Sequence, residues 1–314
     1  MVASRVDTRH GARPATRLGV GLVLVAIVVL HVAFPLGATG QATYLAATVG
    51  GAAMAAAGLR RRRSIPRHWR WLAAAVSLSA AGDIVYSAYS VLFDLPVPEV
   101  SWGDPLWLLT YAALGLGLSG ILGLRAARDP GDRAAVHYRD ADALLDMLTA
   151  GIVGLLVVWV AVLGPAIGDA ATSLATKAVL SVYPVLDVAV VAALVGGMLA
   201  VRRRSATTAL VCSGVLCWLV SDFGYVVAGT ASLDLTVWMD VGWMLGAVLL
   251  GMAVVEAGSP ESSEAAPPRA AAGAGLWRLA GGFAPLLVPA GLHVWAAGHG
   301  DPARVWPSGW PPPR

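Results

Sequence analysis

The sequence predicts an all-α polytopic membrane protein with nine transmembrane helices. Three observations predict it: the composition, the length of the apolar segments, and the placement of the arginines. Hydrophobic residues make up 57% of the 314-residue chain and charged residues only 13%, with a mean hydropathy of +0.70. A soluble domain carries about 25% charged residues, so this chain has too few to clothe a water-facing surface. The apolar residues fall in segments of about 17–24 residues, the length that spans a roughly 30 Å hydrocarbon core.

In chain order, residues 1–17 form a basic tail, followed by spans at 18–34, 42–59, 71–93 and 106–124. The first span has no small-residue cleavage site after its apolar run and is expected to stay in place as a signal anchor. A basic loop, 125–143, leads to spans at 144–167, 178–201, 209–228 and 238–256. Residues 257–278, with "SPESSEAAPPRAAAG", read as a flexible linker. A ninth span is expected at 279–297, and the tail 298–314 has no periodicity and should lack regular structure.

The arginines set the expected orientation. With a cytoplasmic N-terminus, the inner segments hold 19 of the 22 basic residues, and only Lys177, Arg304 and Arg314 fall outside. A bias of that size supports both topology and segment count, because one missed helix would scramble the alternation. It places the chain in the plasma membrane with the lipid bilayer as its first partner. The net charge of +3 therefore does not point to nucleic acid; attraction of the basic loops to anionic lipid is secondary. The two cysteines, Cys212 and Cys217, sit five apart on one helix. That turns them about 140° apart, so neither a disulfide nor a metal pair is expected, only small buried side chains.

The chain also carries an internal similarity. "SAAGDIVYSAYS" (79–90) and "LVSDFGYVVAG" (219–229) share Asp-x-x-Tyr, through Asp83 with Tyr86 and Asp222 with Tyr225, at an offset of 139. "WGDPLW" and "WMDVGW" share Trp-x-Asp-x-x-Trp, through Trp102, Asp104, Trp107 and Trp238, Asp240, Trp243, at an offset of 136. Tyr44 precedes Tyr183 by 139 residues, and both of those spans run into "RRRS". Residues 18–124 and 144–256 thus read as two four-helix repeats. An even number of spans per unit makes the repeat parallel.

Ionisable groups inside spans are costly, roughly 2.5–3.5 kcal/mol on the insertion scale, and so invite a reason. Asp83 and Tyr86, Tyr183 and Asp187, and Asp222 and Tyr225 each lie three or four residues apart, on one helix face. These six are the candidate ligand-binding residues: the carboxylates engage a cation or polar ligand and the phenols donate hydrogen bonds. Trp102, Asp104, Trp107, Trp238, Asp240 and Trp243 form the expected outer rim, joined by Asp94, Glu99, Asp169 and Asp234. Pro184 removes a helix hydrogen bond beside one pair and is the candidate hinge.

An architectural reading stands beside this one. Each Asp can hold the bundle together by accepting a bond from a neighbouring helix, and interfacial tryptophans need no ligand. Asp104 before Pro105 suits a helix N-cap. His31 and His293, near the outer ends of the first and ninth spans, read as interface packing, with a joint metal or pH-sensing role as the lesser alternative. The Gly-rich "VGGAAMAAAG" (49–58) and "LVGGMLA" (194–200) let helices approach closely. The chain contains no phosphate loop, no Cys-x-x-Cys, no His-Glu-x-x-His and no nucleophile elbow, so no catalytic residue, metal site or cofactor is expected.

The landmarks in order resemble a family. "AGDIVY", Asp-Pro-Leu-Trp, "LLDM", "YPVLD", "SDFGY" and "DVGWMLG" are similar to the N-terminal multi-spanning region of actinobacterial signalling proteins that end in GGDEF and EAL domains. The resemblance covers roughly residues 18–297. It implies a sensory input module that passes a cue to cytoplasmic enzymes making or breaking cyclic di-GMP. The chain departs from the pattern in having no GGDEF and no EAL motif, so nucleotide turnover by this polypeptide is not expected. The unpatterned stretch from Asp301 reads as a truncation or a shifted frame. The resemblance leaves as partners a cytoplasmic or membrane signalling protein and a second copy of the chain. Two other classes stay open: a secondary transporter using intramembrane carboxylates, and a membrane scaffold.

Overall fold

The computed structural model describes residues 14–61, 65–93, 100–122, 151–156, 173–200, 205–231 and 235–257, with a few single residues between them. Seven helices are complete there: α1 (Pro14–Ala33), α2 (Gly37–Arg60), α3 (Arg67–Val91), α4 (Asp104–Ile121), α5 (Leu174–Ala200), α6 (Ala206–Ala231) and α7 (Thr236–Ala257). No strand occurs among the described residues. Five helical segments are long and apolar enough to cross a membrane: α2, α3, α7, Thr176–Met198 within α5 and Ala206–Tyr225 within α6. The helices begin two to five residues before the predicted spans. A helix need not stop where the hydrocarbon does, and its first turn can extend into the polar interface.

The outer surface is apolar. Leu22, Val29, Ile152 and Val220 are each at least 60% exposed, which suits a surface facing lipid tails. The inside is knit by small residues and a layer of Leu72, Val76, Leu118, Val215, Leu250 and Val254. Without a hydrophobic drive between helices in lipid, close approach and van der Waals contact supply the cohesion. Gly51 shows why glycine is needed: a Cβ there would stand 2.5 Å from the Ala247 carbonyl oxygen. The expectation that the 49–58 run serves packing holds at this α2–α7 crossing, and at Gly197, which lies against the Leu122 side chain.

Helix directions follow from the contacts. α3 lies antiparallel on α4 and α6 antiparallel on α7. α2 runs parallel to α7, with Gly51 on Ala247 and Gly58 on Val255. α5 runs parallel to α4, with Tyr183 on Asp104, Asp187 on Tyr111 and Gly197 on Leu122. The helical stretch 151–156 lies antiparallel to α5, Gly151 facing Ala192 and Gly154 facing Val188. It occupies part of the fifth predicted span, between two helices that could not otherwise point the same way.

The C-terminal ends of α1, α3 and α6 meet the N-terminal ends of α2, α4, α5 and α7 at one end of the bundle. Arg60, Arg67 and Arg70 lie at the other. The basic loop 125–143, the linker, the ninth span, the tail, His293 and the loop acids Asp94, Glu99, Asp169 and Asp234 lie outside the described residues.

Candidate ligand cavity

At the end away from the arginines the helices enclose a cavity of about 940 Å³, a size suited to a small organic ligand. Its walls are built from two similar corners. In the first, Asp83 of α3 is 6% exposed and its Oδ1 accepts the indole N–H of Trp107 on α4 at 3.2 Å. Gly82 makes this possible, because a Cβ there would stand 2.5 Å from Trp107 Nε1. Tyr44 and Thr48 of α2 face the same carboxylate. In the second corner, Asp222 Oδ1 on α6 accepts the indole N–H of Trp243 on α7 at 2.8 Å. The Tyr111 hydroxyl lies 2.6 Å from Asp187 Oδ1 and 3.3 Å from Asp222 Oδ2. One phenol thus serves two carboxylates.

Two further carboxylates complete the wall. Asp104 Oδ2 accepts the Ser101 backbone N–H at 2.6 Å and the Ser101 hydroxyl at 3.1 Å, and Oδ1 accepts the Tyr183 hydroxyl at 2.8 Å. Asp240 Oδ2 lies 3.3 Å from Nε2 of His31, which is 1% exposed. His31 Nδ1 sits 3.1 Å from the Gly40 carbonyl oxygen and 3.0 Å from the Thr43 hydroxyl. The cavity therefore collects five aspartates, Asp83, Asp104, Asp187, Asp222 and Asp240, and no lysine or arginine lines it among the described residues; His31 is the single basic side chain.

All six predicted ligand-binding residues line this space, and the hydrogen bonds of their carboxylates run to neighbouring helices. Tyr86 is 43% exposed and packs at a tilt of 46° against Trp107, ring centroids 5.5 Å apart, while Asp83 takes the indole N–H. Tyr225 is 58% exposed, and Asp222 is held by Trp243 and Tyr111. Tyr183 and Asp187 share a face of α5 yet bond α4 at Asp104 and Tyr111 respectively. A shared face delivers side chains to one cavity; the nearer partner there sits on the neighbouring helix.

The predicted rim divides. Trp102 and Trp238 are 78% and 67% exposed, while Asp104, Trp107, Asp240 and Trp243 turn inward and form the wall. Asp104 is no N-cap: Gly103 holds that position, and the carboxylate folds back to Ser101. Pro184 is buried within α5, which runs unbroken from Leu174 to Ala200. His31 is buried in a polar cluster, not packed at an interface, because Gly40, Thr43 and Asp240 surround it. Cys212 and Cys217 are half-buried.

Sequence reasoning missed Tyr111 and Trp218. Tyr111 stands one turn after Trp107 and so shares its face, a signal the sequence did carry. Trp218, which lines the cavity and donates to the Trp243 carbonyl at 3.0 Å, likewise stands one turn before Asp222 and shares its face. No group of three or more His, Cys, Asp or Glu among the described residues is arranged to hold a metal ion. No protein-family model, curated protein or solved structure matches this chain.

Proposed function

We propose that the chain is a membrane sensory, signal-input domain of the type coupled to cyclic di-GMP turnover, with no enzymatic activity of its own. In this reading it sits in the plasma membrane with a cytoplasmic N-terminus, and its nine spans comprise two parallel four-helix repeats plus one. Output belongs to a cytoplasmic or membrane signalling partner, and the 314 residues hold no GGDEF or EAL motif. The observation that carries the proposal is the cavity, because both sequence repeats contribute equivalent Asp–Trp bonds to its wall. A ligand touching both corners biases how the two halves pack. The same helices lead to the arginine-bearing end, where a partner would read the change. Pro184 gives α5 a place to flex, since its missing N–H leaves one backbone carbonyl without its helical bond.

Fusing a GGDEF-type cyclase to the cytoplasmic N-terminus tests this without knowing the cue. The expected result is that Asp187→Asn or Asp222→Asn changes cyclic di-GMP production by the fusion at equal membrane levels. Unchanged production in both variants would end the input-domain reading.

One observation favours a second reading, a secondary carrier. Asp187 and Asp222 share one hydroxyl, and such a pair can take up a proton between them. Sustained uptake driven by a pH gradient in proteoliposomes would establish the carrier; binding without flux leaves the input domain.

A further inference from the structure

We infer that the cavity takes an organic ammonium ion, its charged nitrogen seated between Asp187 and Asp222 and its carbon body lying against Trp218, Trp243 and Tyr111. The inference deepens the input-domain reading and depends on it only for the biological use of binding.

Charge comes first. Asp104 accepts three hydrogen bonds, and Asp240 faces His31. Asp83 is a single carboxylate with an indole donor and two hydroxyl neighbours. Asp187 and Asp222 are different: two carboxylates meet at one Tyr111 hydroxyl, which has one hydrogen to give. With no lysine or arginine in the lining among the described residues, these two half-buried carboxylates are short of positive charge and call for a partner. An ammonium group supplies both the charge and the missing hydrogen-bond donors.

Size and surface come second. An inorganic cation would leave most of about 940 Å³ unfilled, and metal-type clusters of side chains are absent among the described residues. The aromatic walls are suited to a cation carrying hydrocarbon, through cation–π attraction and apolar burial.

A third observation lies across the same space. His31 is 1% exposed and lines the cavity, yet its Nε2 makes no hydrogen bond of regular geometry although Asp240 Oδ2 is 3.3 Å away. A polar group on the ligand body would have His31 and Asp240 within reach of the same space.

The test uses the full chain in nanodiscs and reads both calorimetric binding and melting temperature. The probe is phenethylammonium, set against its neutral isostere phenethyl alcohol, the anion hydrocinnamate, and potassium ion. Phenethylammonium is expected to bind saturably and raise the melting temperature, the alcohol to bind at least about tenfold more weakly, and hydrocinnamate not to bind. Asp187→Asn and Asp222→Asn should each weaken phenethylammonium by at least about tenfold. Tyr111→Phe keeps both carboxylates and should bind as tightly as wild type or more so, which keeps the proposal testable if an Asn variant fails to fold. Equal binding of amine and alcohol, no binding of the amine, displacement by equimolar potassium, or wild-type affinity in folded Asn variants would each overturn the inference. Cation binding with a cyclase fusion indifferent to both Asn changes would uphold the seat and remove the signalling role. A responsive fusion with no cation binding would do the reverse.

Discussion

The two corners of the cavity share a framework but differ in charge. Asp83 with Trp107 and Asp222 with Trp243 repeat one arrangement, an aspartate held by an indole from the next helix. The residue beside each aspartate differs. Thr48 faces Asp83 from α2, and the position 139 residues later is Asp187, beside Asp222. The same offset relates Asp83 to Asp222 and Tyr44 to Tyr183. One corner therefore holds a neutral hydroxyl where the other holds a second carboxylate. The first is built to be stable without help; the second carries like charges that a ligand or proton must balance. The difference teaches that two corners with one Asp–indole framework can differ in charge through a single neighbouring side chain.

Making the corners alike is the sharpest way to test that contrast. Thr48→Asp places a second carboxylate beside Asp83, whose Tyr44 and Trp107 partners already serve the first. It should cost about 3–5 kcal/mol, as an uncompensated buried charge does, measured as loss of folded protein in chaotrope titration. A cost near zero would mean that the first corner also has room for a cation. Gly82→Ala attacks the scaffold instead. The added methyl displaces the Trp107 indole from Asp83 and should cost up to about 3 kcal/mol, leaving phenethylammonium binding at the far corner nearly intact.

Removing each indole donor compares the bonds directly. Trp243→Phe should destabilise by about 2 kcal/mol and Trp107→Phe by about 1 kcal/mol, because hydrogen bonds to carboxylates strengthen as they shorten and the former is 2.8 Å against 3.2 Å. The reverse order in thermal unfolding would contradict the reading that Asp222 bears the greater charge burden. The smallest effect has the opposite sign. Asp187→Thr copies the first corner into the second and should stabilise the unliganded protein by about 1 kcal/mol while abolishing phenethylammonium binding, the exchange expected at a binding site.

How much of this was readable beforehand differs between fold and site. The helices were legible because hydrocarbon thickness fixes segment length, and α2, α3 and α7 cover their predicted spans apart from the last two residues of 71–93. The site was legible in part. A carboxylate inside an apolar run is conspicuous, so Asp83, Asp187 and Asp222 stood out, and all three line the cavity. Tyr111 did not stand out, because a tyrosine among leucines and alanines is ordinary in a membrane helix. His31 was misread for a related reason: a lone histidine near a span end looks interfacial until α2 and α7 are packed around it.

By itself, the sequence determined where helices form, which residues share a face, and that two parts of the chain carry matching Asp and Trp landmarks. Those are local consequences of helical periodicity and of the cost of polar groups in hydrocarbon. Only tertiary structure decided the pairings: Tyr111 with Asp187 and Asp222, Tyr183 with Asp104, and His31 with Asp240. Each joins helices far apart in the chain, and periodicity along one helix says nothing about which neighbour meets its polar face or in which direction that neighbour runs.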